Sequence, residues 1–173
     1  MELCEPKMAL QALNAVMKRY IVWIGALLGL FQLPLMAQNK DQLIREADSL
    51  YKANIVKTRI NGVYIPKDLQ EAFTELDRLS PPDALLKIKV EEETFIARKL
   101  HFGLGRWMAI NWNFDDGSRF SHFLTKLGLL YRDEMIDFML ISYHRYLNQR
   151  PQEVETRVKQ YVEKRKKKPE NEK

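Results

Sequence analysis

Cysteine is nearly absent from this chain. Of 173 residues only Cys4 carries a thiol, and it precedes the segment read below as an export signal, so the exported chain has none. That excludes disulfide staples, cysteine-ligated zinc and cysteine nucleophiles from the exported body; it suits an oxidising compartment without requiring one. Histidine is scarce as well. His101, His122 and His144 are the only three, and no two stand at the i, i+4 spacing that presents a pair of imidazoles to one metal on a helix. No serine sits in a Gly-x-Ser-x-Gly elbow. Internal repeats are missing, no alternating pattern is long enough for a sheet, and neither charge dominates, with 28 Lys and Arg against 23 Asp and Glu. At 46% hydrophobic the composition is that of one globular domain that buries its own core, not of a disordered chain.

What is present begins with Met17-Lys18-Arg19, followed by an apolar run from Tyr20 to Ala37 that is interrupted near its end by Pro34. A short basic region, an apolar stretch and a small residue before polar Gln38 are the three parts of a secretory signal. The reading is export to the periplasm or beyond, with cleavage after Ala37. The competing reading keeps the segment as an uncleaved anchor, since about 17 apolar residues stand at the lower limit for spanning a bilayer. Lys18 and Arg19 hold the N-terminus inside in both cases. Residues 1–16, with Glu2, Glu5 and Lys7, do not suit a signal and are read as an upstream extension, Met17 being the true start.

Beyond the signal the periodicity is that of helices, and the fold class expected is all-α, a small single-domain bundle of about five to seven helices. Residues 38–61 form a helix and linker: Leu43, Ile44, Ala47, Leu50 and Tyr51 share a face, and Asn39 with Gln42 can cap it. Asn61-Gly62 marks a turn, and Val63 to Ile65 is extended before Pro66. A helix from Pro66 to Leu79 buries Leu69, Ala72, Phe73, Leu76 and Leu79, and Ser80 caps a short helix to Val90. The next carries Phe95, Ile96 and Leu100 inward, and Gly103 and Gly105 bend or interrupt it. Ser118 caps a helix that Gly128 ends. Met135 to Leu147 is the apolar face of another. Residues 151–173 form a final helix with a thin stripe at Val154, Val158 and Val162, fraying into a basic tail.

Three segments in order carry a resemblance. They are Tyr64-Ile-Pro-Lys-Asp-Leu-Gln-Glu-Ala-Phe73, then His101-Phe-Gly-Leu-Gly-Arg-Trp107 with Asn111-Trp112 and Gly117-Ser118-Arg119, then Ser142-Tyr-His-Arg-Tyr-Leu-Asn148. Together they resemble a family of uncharacterised bacterial helical domains over about residues 62–150, with the loop Phe114 to Asp116 departing from the pattern. The resemblance implies a shared helical fold and supplies no activity, cofactor or catalytic residue.

Candidate chemistry therefore rests on residue types alone. Arg106, Asn111, Trp112 and Arg119 gather aromatic and guanidinium groups of the kind that dominate recognition surfaces, and Gly103-Leu-Gly105 beside Arg106 can form an anion-binding nest. His101, His144 and neighbouring Arg145 complete the candidate ligand-binding set. The plain alternative is that both tryptophans are core and each histidine is a hydrogen-bonded boundary residue. Asp115 and Asp116, adjacent in a loop, do not by themselves give the separation across a cleft that glycoside hydrolysis needs. From Arg157 to Lys173 eight Lys and Arg stand against three Glu, a net of +5 equal to that of the whole chain. Such tail-local charge suits weak contact with anionic membrane and argues against a nucleic-acid face on the fold. The reading adopted is an exported helical binding or interaction module of the cell envelope, with no metal or cofactor, whose partner is a protein or envelope ligand. The alternatives are an envelope hydrolase using His101, His144 and an Asp, and a cytoplasmic polyanion binder working through the tail.

Overall fold

The computed structural model describes residues 40–167. The proposed extension, the signal segment and Asn39 of the proposed capping pair lie outside the described residues. The chain divides into two compact units, Met1–Glu46 and Ala47–Lys173. Of the first, residues 40–46 are described, and they are helical and exposed. They open α1 (residues 40–54), which ends within the second unit. Its sequence stripe is amphipathic, yet Leu43, Ile44 and Leu50 are 59%, 57% and 49% exposed. In its last turn Asn54 is buried and the Tyr51 hydroxyl meets His122 Nδ1 at 2.7 Å.

The second unit is helical, as expected, with one departure. A two-stranded antiparallel hairpin, β1 (Arg59–Ile60) and β2 (Val63–Tyr64), pairs Arg59 with Tyr64 and Ile60 with Val63. The turn residues Asn61 and Gly62 both have positive φ, 50° and 80°, which is the type I′ turn that Asn-Gly favours because its twist matches that of the strands. Two-residue strands leave no alternation to read, so the pattern that reveals longer strands was not there. Ile65 and Pro66 follow, both buried.

Helix α2 (Leu69–Leu79) starts three residues later than the proline suggested. Asp68 is its N-cap, accepting from the Glu71 N–H at 2.9 Å, and a carboxylate there satisfies a donor that the helix cannot. Ala72, Phe73 and Leu76 are its buried face, whereas Leu79, expected inside, is 42% exposed at the last turn. Ser80 closes α2, its N–H bonded to the Leu76 carbonyl; it does not cap α3 (Pro82–Val90), whose N-cap Pro81 makes no side-chain bond. Helix α4 (Glu93–Leu100) buries Ile96 and Ala97. Phe95 lies about 100° round the helix from Ile96 and is 45% exposed, with Lys99 Nζ 5.3 Å from its ring centroid. This corrects its inward assignment.

The glycine segment is neither a break nor a loop. His101–Gly105 is a π-helical turn that joins α4 to α5 (Arg106–Asn111). At Gly105 a Cβ would stand 2.5 Å from Ile136 Cγ2 and 3.3 Å from Leu140 Cδ1, so hydrogen at this position is what lets the turn rest on the helix that carries Ile136 and Leu140. Helix α6 (Arg119–Leu127) is capped by Ser118, whose Oγ accepts from the Ser121 N–H at 3.1 Å, and is ended by Gly128.

Helix α7 (Arg132–Leu147) is the centre of the bundle. Met135, Ile136, Phe138, Met139, Leu140 and Tyr143 are all buried, and α2, α3, α4, the π turn, α5 and α8 (Val154–Lys167) all contact it. Apolar residues occur on most of its sides, as in a helix with neighbours all round. Helix α8 is held by more than its valine stripe. Arg157, 5% exposed, donates to the Phe138 carbonyl (2.8 Å), Ser142 Oγ (3.0 Å) and the Gln152 carbonyl (3.2 Å), with no carboxylate partner among the described residues. Burial pulls its pKa down to about 10. Arg165 bonds the Gly128 carbonyl at 2.7 Å and pairs with Glu134 at 3.3 Å. Part of the basic tail is thus internal structure.

Candidate functional site

The hairpin, α2 and α5 enclose an open cleft of about 610 Å³, lined by Arg59, Gly62, Val63, Tyr64, Glu75, Arg78, Leu79 and Trp107. Each element delivers its residues for a local reason. The tight turn presents Arg59, Val63 and Tyr64 together, with Arg59 Nη1 bonded to the Gly62 carbonyl at 2.9 Å. On α2, Glu75, Arg78 and Leu79 stand at i, i+3 and i+4 and so share a face. Trp107 projects from the first turn of α5, half-buried, with its ring edge-on to Trp112 at 6.0 Å. Leu79 is exposed because the cleft lies there.

Glu75 is buried to 8% exposure, and Arg78 forks both of its oxygens, Nε to Oε2 at 2.9 Å and Nη2 to Oε1 at 2.7 Å. The Glu75 bond raises the pKa of Arg78. The planar fork matches a carboxylate edge and neutralises the one acid in the lining. Arg59 meets no carboxylate among the described residues; its guanidinium lies 6.0 Å from the Tyr64 ring centroid.

Behind this wall stands a tight polar cluster. Glu71 accepts from the Tyr64 hydroxyl (2.6 Å) and the Lys67 N–H (3.0 Å), and pairs with Lys67 Nζ (2.7 Å) and Arg119 Nη2 (3.2 Å). The Lys67 and Tyr64 bonds hold its carboxyl down at about 2, against an ordinary 4.5. In return the Glu71 bond raises the Tyr64 pKa. Arg119 also donates from Nε to the Ile65 carbonyl at 2.7 Å and lies 5.2 Å from the Tyr64 centroid. These contacts fix the hairpin to α2 and α6, so Tyr64 is a rigid wall of the cleft.

The residues singled out from sequence are scattered. Arg119 belongs to the cluster just described, behind the cleft. Trp112 is wholly buried, edge-on to Phe120 at 5.2 Å, with no partner for Nε1 among the described residues. Asn111 donates to the Trp107 carbonyl at 2.9 Å, an interaction within its own helix. Arg106 is exposed. His101 Nδ1 meets Asp137 at 2.9 Å, with Asp133 3.7 Å from Nε2. His144 is 1% exposed, its Nε2 facing the Glu91 carbonyl at 3.0 Å, and Nδ1 has no partner among the described residues. Arg145 pairs with Glu93 (3.0 Å) and Glu153 (2.7 Å), fastening α4 and the segment before α8 to α7. Asp137, the partner of His101, and His144 stand seven residues apart on α7, roughly 10 Å along its axis, and the two imidazoles bond different groups, the Asp137 carboxylate and the Glu91 carbonyl. Among the described residues no group of three or more His, Cys, Asp or Glu is placed to hold a metal ion. No helix among the described residues is long and apolar enough to cross a membrane.

Sequence reasoning missed Arg59, Tyr64, Glu75, Arg78 and Trp107 as cleft residues, having chosen Trp112 instead. The one local signal was Asn61-Gly62, which fixes the turn but not what it faces. Half of the residues that line the cleft fall within a segment that matches a family model. Residues 65–147 match the family model of a domain of unknown function, DUF6794. No curated protein and no solved structure matches the chain. The DUF6794 segment runs from Ile65 to Leu147, so it includes α2 to α7 and Trp107, Glu75 and Arg78. Arg59 and the hairpin lie before it. One wall of the cleft therefore comes from outside the DUF6794 segment.

Proposed function

We propose that the protein is an exported helical binding module of the cell envelope and that the cleft between the hairpin, α2 and α5 is its ligand site. The observation that carries the binding role is the half-buried Trp107 facing a cleft that also holds Arg59 and Arg78. Mostly apolar clefts of this volume with a few convergent polar groups are the usual form of a ligand site. Export is supported by the segment from Met17 to Ala37, which has the three parts of a secretory signal. The separation of His101 from His144 favours binding over a hydrolase built on both. Each half of the proposal has its own measurement. Fractionation of the host, with intact mass and N-terminal sequencing, should recover a chain that begins at Gln38 outside the inner membrane; an intact soluble chain in the cytoplasm overturns export. Thermal shift of the purified protein against peptide, glycan and lipid fractions of envelope extract tests binding. A stabilising fraction whose effect is lost in Trp107→Ala supports the cleft, and a shift that survives this change overturns it.

A further inference from the structure

Resting on the reading of the cleft as a ligand site, we infer that its ligand is a carboxylate carried on an apolar body. The lining supplies two guanidinium groups and one carboxylate. Arg78 occupies both oxygens of that carboxylate through Nε and Nη2, so Glu75 offers no free charge to a cation. What is left over is positive. Arg59 is exposed and its only hydrogen bond among the described residues goes to the Gly62 carbonyl, from Nη1. Arg78 Nη1 makes none among the described residues. A lining whose uncommitted polar atoms are guanidinium donors calls for a ligand that only accepts, and a planar fork favours a carboxylate edge.

The remaining lining sets the other half of the ligand. Trp107, Val63 and Leu79 are apolar, and Leu79 at 42% exposure is an uncovered leucine inside a concave surface. The Tyr64 ring already has Arg119 at 5.2 Å and its hydroxyl is held by Glu71, so this wall presents carbon rather than a hydrogen-bonding group. An inorganic anion would leave Trp107 and Leu79 facing water. A neutral apolar molecule would leave the guanidinium donors with water alone, since both groups are exposed. A carboxylate on an aromatic or aliphatic group satisfies both, and two sources share that chemistry: a free organic acid and the C-terminus of a peptide ending in an apolar residue.

Titration of tryptophan fluorescence in the full chain tests this directly, with Trp107→Phe identifying the responding ring. The probes are phenylpropanoate and its amide, and N-acetyl-alanyl-phenylalanine and its amide. Each acid should bind at least about tenfold more tightly than its amide, the value of one charge-assisted bond. The preference should weaken with salt, as an exposed ion pair does, and should fall to about twofold in Arg59→Gln. Tighter binding of the dipeptide acid than of phenylpropanoate assigns a peptide C-terminus, and the reverse assigns a free acid. Equal binding of acid and amide in the unaltered protein overturns the inference while leaving an apolar site. Failure of all four probes also overturns it, and the extract experiment with Trp107→Ala then decides separately whether the cleft binds anything.

Discussion

At the scale of single residues, two side chains show how burial and partners decide a role that residue type leaves open. Trp107 and Trp112 are five positions apart, about 140° round a helix, so one helix cannot bury both on one face. The structure puts Trp112 in the core and leaves Trp107 at the cleft. Sequence reading put Trp112 in the candidate binding set, with both tryptophans in the core as the alternative, and of the two the structure buries Trp112 alone. Trp112→Ala should cost about 3–5 kcal/mol by urea denaturation, as large-to-small changes in a packed core do. Trp112→Phe should cost clearly less, because it also removes an indole N–H that has no acceptor among the described residues. Glu71 is the second case. Its folded pKa of about 2 lies below the ordinary 4.5, so its contribution is fully present above pH 4.5 and is lost as pH falls towards 2. Glu71→Gln should therefore lower stability at neutral pH by about 1–3 kcal/mol and flatten the fall in Tm across that acid window. A variant whose Tm declines there as steeply as that of the unaltered protein would show that the Lys67, Tyr64 and Arg119 contacts contribute nothing.

At the scale of elements, helices with a capping residue and a one-sided stripe were legible, and those shaped by a neighbour were not. Ser118 and Gly128 bound α6 as their types suggest. Pro66 was misleading because it is buried in the extended segment after the hairpin, and the cap is Asp68, which any sequence reading had to choose from several polar residues. The π turn is the clearest element-level consequence of tertiary packing. Glycine costs a helix about 1 kcal/mol relative to alanine, so two glycines predict a weak point. The structure gives each a different meaning. No atom lies within 4 Å of a Cβ built on Gly103, while one on Gly105 meets Ile136 at 2.5 Å. Gly103→Ala should be neutral or stabilise by up to about 1 kcal/mol. Gly105→Ala should destabilise by about 1–3 kcal/mol through overpacking against α7. Equal effects from the two substitutions in chemical denaturation would contradict the close approach.

At the scale of the whole molecule, net charge divides into a structural part and an available part. The formal +5 coincides with the tail from Arg157 onward, which from sequence alone is a solvated end. Arg157 and Arg165 instead bond the carbonyls of Phe138 and Gly128, and Arg157, which is buried, cannot also meet a membrane or polyanion. Lys159, Lys164, Lys166 and Lys167 are exposed and carry what remains for electrostatic contact along α8. Replacing these four by Gln lowers the formal net charge from +5 to +1. Retention on a heparin column should then fall to much lower salt, while Tm moves by no more than about 2 °C, because isolated surface charges contribute little to stability. Arg157→Ala should do the opposite. It removes one charge and barely changes retention, but it takes away the buried donor that ties the Ser142 hydroxyl and the Phe138 and Gln152 carbonyls to α8 and costs about 2–4 kcal/mol. If the lysine variant melts several degrees lower, or the arginine variant loses retention without losing stability, the division of the tail into clamp and free charge is wrong.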